Sequence, residues 1–287
     1  MNRRYFYGIL FLLGALLMPS CKDKTLDMTV LTKTLYEDAV IDEFHVEDAW
    51  QVTIVQDSSK KGVELEYSAF LEEFLKIVKE GSALDIAFTQ RLNLPSQTVK
   101  NATVYVPSLR KLVLEEEASA ALQGEFYGNK LEVTQKDKST LRGGSYFGSL
   151  TMALSDASKV VDFTAAGDSC GMSLEDASVF KGTLTASTLL DLQIKDESRL
   201  TTYGGNTPTT SINMSNKAFL NMTQTVVDEM FIEMSSSSEA NVRVVSSLEG
   251  ILRDTSVLYY QGNPVLNVDC DTTSHLLPLT THLSILN

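Results

Sequence analysis

MALSDASKV (152–160), MSLEDASVF (172–180), LQIKDESRL (192–200) and INMSNKAFL (212–220) are four copies of one pattern: aliphatic, x, aliphatic, x, Asp or Asn, x, small, x, apolar, returning every 20 residues. A fixed period of this length marks stacked units that cannot bury their apolar faces alone. Within each copy the apolar residues alternate, which is the period of a strand and not of a helix. Helical solenoids need about 33 residues or more per unit. The Leu and Asn positions of leucine-rich repeats do not fit these copies, and no helical half-repeat is visible. Parallel strands wound into a β-helix are the economical remaining fold.

Taking the small residue as anchor extends the repeat to Ser119, Ser139, Ser158, Ser178, Ser198, Ala218, Ala240, Ser256 and Ser274, at intervals of 20, 19, 20, 20, 20, 22, 16 and 18. In the copies at Ser139 and Ala240 the apolar pair lies two residues early, which predicts a longer turn there. With coils rising about 4.8 Å each, this region makes a rod on the order of 40 Å long. Upstream, Phe44 and Val46, Val52 and Ile54, and Val63 and Leu65 alternate with polar neighbours as half-buried strands do. Asp57–Gly62 (DSSKKG) supplies a turn between two of them. Leu71, Leu75 and Val78 share a helical spacing, while a strand or irregular turn fits that stretch equally well.

Arg3 and Arg4 followed by the apolar stretch Tyr5–Met18 form a signal segment, too short to span a bilayer comfortably. Pro19, Ser20 and Cys21 follow it and resemble a bacterial lipobox, which makes Cys21 the expected lipidated residue and membrane anchor. The chain thus divides into a leader (1–21), a tether and first strand (22–39), and one β-helix domain (40–287). That domain comprises N-terminal strands (40–106), regular repeats (107–276) and a tail (277–287). A composition of 43% hydrophobic and 21% charged residues with 6 Pro describes a folded chain. The formal net charge is −13; without residues 1–20 the balance is 22 basic against 37 acidic residues, or −15. Such a surface repels nucleic acid and anionic lipid. Cys170 and Cys270 lie about five coils apart, roughly 24 Å along the axis, too far for a disulfide. Both are expected to be free, buried thiols.

Four stretches carry a family resemblance: VIDEFHVEDAWQVTIVQ (40–56), ATVYVPSLRKLVL (102–114), the recurrent DAS at 156–158 and 176–178, and YYQGNP (259–264). On these the chain resembles the auto-transporter adhesin family with a head GIN domain, common among Bacteroidetes lipoproteins, over roughly residues 40–276. The resemblance implies a right-handed parallel β-helix and a surface location, and carries over no catalytic residue. The chain departs from the family at EEEAS (115–119), where a small, glycine-containing turn is usual.

Asp137, Asp156, Asp176, Asp196 and Asn216 sit two before successive anchors and form an edge ladder. Carboxylates about 4.8 Å apart repel by roughly 1 kcal/mol in water, so the ladder must be solvated, bonded to turn amides or bridged by cations. Turn capping, each side chain bonding its own backbone two residues on, is the expected role; calcium bridging is the lesser reading, and no other cofactor is expected. Trp50 and Tyr260 are candidates for stacking on glycans, but core packing is the expected role, with one of Tyr259 and Tyr260 turned inward. His45, His275 and His282 are the only histidines and none pairs with another at ligand spacing, so no metal site is expected. No catalytic residue is assigned. Lys159 and Arg199, flanking Asp176, give the alternative of a polysaccharide lyase or hydrolase its only footing, and that alternative requires a concave groove holding Asp176 beside a buried cation. The expectation is a non-enzymatic envelope protein that binds or adheres to a glycan or protein through an extended surface; a structural lipoprotein without a specific ligand is the other alternative.

Overall fold

The computed structural model describes residues 26–279. Strands make up 65% of the chain and helix 2%, and the parallel strands stack as a β-solenoid of about eight turns, about 20 residues apart. In the regular part the register follows the repeat: Met152 pairs with Met172, Met172 with Leu192, Leu192 with Ile212 and Ile212 with Ile232. Inward residues form continuous columns, such as Leu114, Gln135, Leu154, Leu174 and Ile194, all buried. This column packing removes apolar area from water at about 25 cal/mol per Å². Two of the corners need glycine. A Cβ on Gly167 would lie 2.1 Å from the Gly148 carbonyl oxygen one coil earlier, and one on Gly148, at φ 153°, would lie 2.0 Å from that of Gly128.

The two irregular copies resolve differently from the sequence reading. The buried anchors beside the turns are Ala118 and Ser238, not Ser119 and Ala240, so the successive intervals become 21, 19, 20, 20, 20, 20, 18 and 18. The early apolar pair before Ser139 reflects no longer turn either. Gln135 occupies the inward position that Leu154 and Leu174 fill in the following coils, and it is fully buried.

At the N-terminal end the strand order departs from the chain order. The coil made by Glu43–Val46 and Gln51–Gln56 lies between two later ones. On one side it pairs in parallel with Ala83–Phe88 and Lys100–Val106, on the other with Lys111–Leu114 and Ser119–Gln123. Antiparallel strands then close this end: Leu75–Glu80 on Ala83–Phe88, Gly62–Ser68 on Lys100–Val106, and Val30–Leu35 on Gly62–Ser68. Ala69–Phe74 is a 3-10 helix leading into Leu75–Glu80, which settles the stretch with competing helical and strand spacing. Its buried residue is Leu71.

Cys170 and Cys270 are both free, but only Cys170 is buried. Leu150 and Leu190 cover Cys170 from the coils on either side. Cys270 lies in the last described coil and pairs only with Leu252, so it is exposed where burial was expected. His275 opens the strand His275–Pro278 and does not lie in a turn. Cys21, the leader and His282 lie outside the described residues.

Candidate functional site

From Asp48 to Thr255 the coils turn between the inward strand and the anchor with backbone in the left-handed region. Asp137, Asp156, Asp176, Asp196 and Asn216 have φ between 57° and 60°. A Cβ makes this conformation costly, and Asp and Asn tolerate it better than other non-glycine residues, which accounts for their recurrence. Their side chains bond across coils and not to their own backbone two residues on. The Asp137, Asp156, Asp176 and Asp196 carboxylates accept from the backbone N–H of Glu116, Asp137, Asp156 and Asp176 at 3.1, 3.2, 3.2 and 3.4 Å. Asn216 Nδ2 donates to Asp196 at 3.1 Å. Turn amides are capped from the neighbouring coil, and the expected bond to the side chain's own backbone two residues on is not formed at these positions. Asp271, in the last described coil, does bond two residues on, accepting from the N–H and hydroxyl of Thr273 at 2.9 and 3.0 Å and from the Ser274 N–H at 2.8 Å; it also accepts from the Asp254 N–H one coil earlier, at 2.8 Å. These bonds hold its carboxyl well below the usual range.

The ladder continues towards the N-terminal end through Glu116 and Asp48, whose turns carry two left-handed residues each: Glu116 and Glu117 at φ 49° and 66°, Asp48 and Ala49 at 56° and 55°. This is the departure at EEEAS, and the turn forms without glycine. There the loop after Phe88 folds beside the turn edge and the two enclose an open groove of about 640 Å³. Phe88, Leu92 and Leu94 supply an apolar wall, Arg91, Lys100 and Lys138 the cations, and Asp48, Glu116, Glu117, Asp137 and Asp156 the carboxylates. Burial lowers the Lys100 ammonium, against the pull of Asp48 and Glu117. Burial raises the Glu116 carboxyl, and the Asp48 and Glu47 carboxylates beside it raise it further. Charged groups, of which Asp48 and Lys100 are half-buried and the others exposed, next to an apolar strip suit a ligand with hydroxyls on its edge and carbon on its face. Of the ladder residues singled out in the sequence, Asp137 and Asp156 line this groove; Asp176, Asp196 and Asn216 lie farther along the open edge.

The aromatic assignments divide. Trp50 is fully buried with its ring 5.5 Å from that of Phe88, so it offers no face to a glycan: Trp50 stands in the anchor column and points inward. Tyr260 is the inward-packed member of its pair, partly buried against the core. An outward aromatic pair lies elsewhere: Tyr127, 57% exposed, stacks on Phe147 with centroids 5.0 Å apart and planes 17° apart. These two are 20 residues apart and pair in register across adjacent coils, so the period itself was the signal that would have found them. The groove holding Asp176 beside a buried cation is not formed among the described residues. Asp176 is exposed on the open edge, Lys159 is exposed, and the exposed Arg199 guanidinium sits over the Phe219 ring at 5.4 Å.

A rod of stacked parallel coils, with an open groove at one end of its turn edge and a flat aromatic pair on a side face, belongs to the β-solenoid class. Residues 42–264 match the family described as "Putative auto-transporter adhesin, head GIN domain", and the chain belongs to that family. No curated protein matches the sequence. Among solved structures the chain is similar to a putative adhesin from Parabacteroides merdae (10% identity, TM-score 0.63, covering 88% of this chain and 97% of that one). It is also similar to a putative adhesin from Parabacteroides distasonis (13% identity, TM-score 0.65, 88% and 97%). A third, described as a putative lipid binding protein from Parabacteroides distasonis, aligns with 12% identity and TM-score 0.61 over 89% and 98%. At such identities the likeness is one of fold. Membership of an adhesin family points to a surface or extracellular protein, and no helix among the described residues is long and apolar enough to cross a membrane.

Proposed function

We propose that this chain is a non-catalytic binding protein of the cell envelope, exported by its leader, anchored at the outer membrane or cell surface through a lipid on Cys21, and adhering to a glycan through the groove at the N-terminal end of the turn edge. The observation that carries the reading is the composition of that groove: three cations and five carboxylates arranged beside Phe88, Leu92 and Leu94. Sugar hydroxyls both donate and accept, so a surface presenting both signs of charge over an apolar strip matches a neutral or amino-bearing glycan better than a polyanion, which the net charge of −13 repels. The openness of the recess and the rigidity of the coil stack beneath it fit adhesion along a chain. The family supports a binding role over a catalytic one. The test is a glycan array probed with the purified protein. Binding to a neutral or amino-sugar glycan that is lost on Lys100→Glu supports the reading; an array without signal, or a signal indifferent to Lys100→Glu and Arg91→Glu, overturns it.

A further inference from the structure

We propose a second site, on a different face: a transition-metal site of zinc type formed by His45, Glu47 and Glu115. It does not depend on the glycan reading. Phe44 and Val46 are buried, so alternation turns His45 and Glu47 outward together. The strand Lys111–Leu114 stacks beside them with His45 opposite Val113 and Val46 opposite Leu114, which brings Glu115 next to Glu47 although 68 residues separate them in the chain. His45 Nε2 lies 3.0 Å from Glu47 Oε1 and 3.5 Å from Glu115 Oε2, and the three ligand atoms all lie within 4.8 Å of one another. Donors bound tetrahedrally to zinc at about 2.0–2.1 Å stand about 3.3–3.4 Å apart, so the two nitrogen–oxygen separations bracket the required edge.

Two further contacts build the outer shell. Asp85, paired with His45 from the opposite neighbouring strand, places Oδ1 3.8 Å from His45 Nδ1, outside hydrogen-bond reach, so it acts on the imidazole through its charge. Lys136 Nζ holds the other Glu115 oxygen at 3.0 Å and leaves Oε2 facing His45. Three carboxylates therefore converge on one imidazole. A single Nε2–H cannot satisfy two carboxylates at once, whereas a divalent cation bound by the Nε2 lone pair satisfies both. The imidazole selects zinc-like ions over calcium, which takes six to eight oxygen donors. All three side chains are partly exposed, at 38%, 30% and 24%, leaving an entry path and a coordination position for water. A bound ion would clamp the inserted coil at 43–56 to its later neighbour.

The test is calorimetric titration of the metal-stripped, full-length protein with zinc chloride, with circular dichroism as a check on folding. One equivalent is expected to bind, with affinity reduced at least about 100-fold by His45→Gln and unchanged by His275→Gln. Should His45→Gln fail to fold, Glu47→Gln takes its place with the same expected loss. Absence of stoichiometric zinc binding, binding that survives the ligand substitution, or displacement of zinc by a tenfold excess of calcium overturns the assignment.

Discussion

Gln135 is the one inward position in its column where a polar side chain replaces an aliphatic one, and replacing it should stabilise the protein. It is fully buried between Leu114 and Leu154 in adjacent coils. Its Nε2 donates to the Lys159 carbonyl at 3.5 Å, the outer limit of a hydrogen bond, and its Oε1 has no partner. An orphaned buried acceptor costs about 1–3 kcal/mol, while the marginal bond from Nε2 returns little. Leu has nearly the same volume and already fills the column on both sides, so Gln135→Leu removes the orphan without opening a cavity. The expected gain is about 1–3 kcal/mol. Gln135→Ala should show the opposite sign, because the void it leaves costs more than the lost polar atoms return. Urea unfolding followed by far-ultraviolet circular dichroism reads both as shifts of the midpoint. If Gln135→Leu lowers the midpoint as Gln135→Ala does, Gln135 is held by strong hydrogen bonds, and the account of this column as a dry aliphatic stack with one misfit is wrong.

The two thiols should differ sharply: burial pushes the Cys170 pKa up to about 12, so a disulfide reagent should modify Cys270 in the native protein and reach Cys170 only in denaturant. Rapid labelling of Cys170 under native conditions would contradict its place in the core. Hydrogen bonds, the largest from the Asp254 amide, hold the Asp271 carboxyl well below the usual carboxylate range. A lowered folded value means that the unfolded state binds more protons, so this stabilisation is full above the unfolded pKa and fades as pH falls below about 4. Asp271→Ala should therefore lower the melting temperature at pH 7, with the gap to wild type closing in acid; a gap independent of pH would refute it. Asp176→Asn should leave the melting temperature nearly unchanged and Asp176→Ala should cost about 1 kcal/mol, because Ala lacks both the tolerance for a left-handed turn and the bond to the Asp156 amide. A melting temperature raised by calcium in wild type but not in Asp176→Asn would favour the cation-bridged ladder instead.

The architecture was legible wherever local pattern and long-range pairing coincide. In residues 152–220 a strand stacks on the segment one period later, so the alternation and the 20-residue return are the same fact seen twice. That failed at Ser119 and Ala240, where a small strand residue imitated the anchor, and at Gln135, where a polar residue took a core position and disguised the register. Nothing local in residues 43–56 says that their coil lies between two that follow it in the chain, because order in a stack is set by which faces meet and not by any residue's own preference. The same gap hid the groove: Asp137 and Asp156 were visible as ladder members, but Lys100 and Arg91 reach them only through the loop after Phe88. Trp50 left both stacking and core packing open, because its place in an anchor column of otherwise small residues, which turns it inward, shows only in the strand pairing. His45 and Glu115 had no sequence signal at all, being neighbours only through strand pairing.

The groove is the centre of the functional account, and hydrogen–deuterium exchange with and without a glycan selected on the array tests it most directly. Ligand should slow exchange in residues 88–100 and at the turns holding Asp48, Glu116, Asp137 and Asp156, leaving the edge around Asp196 and Asn216 unchanged. Protection confined to the Tyr127 and Phe147 face, or spread evenly along the rod, would contradict a binding site at this groove.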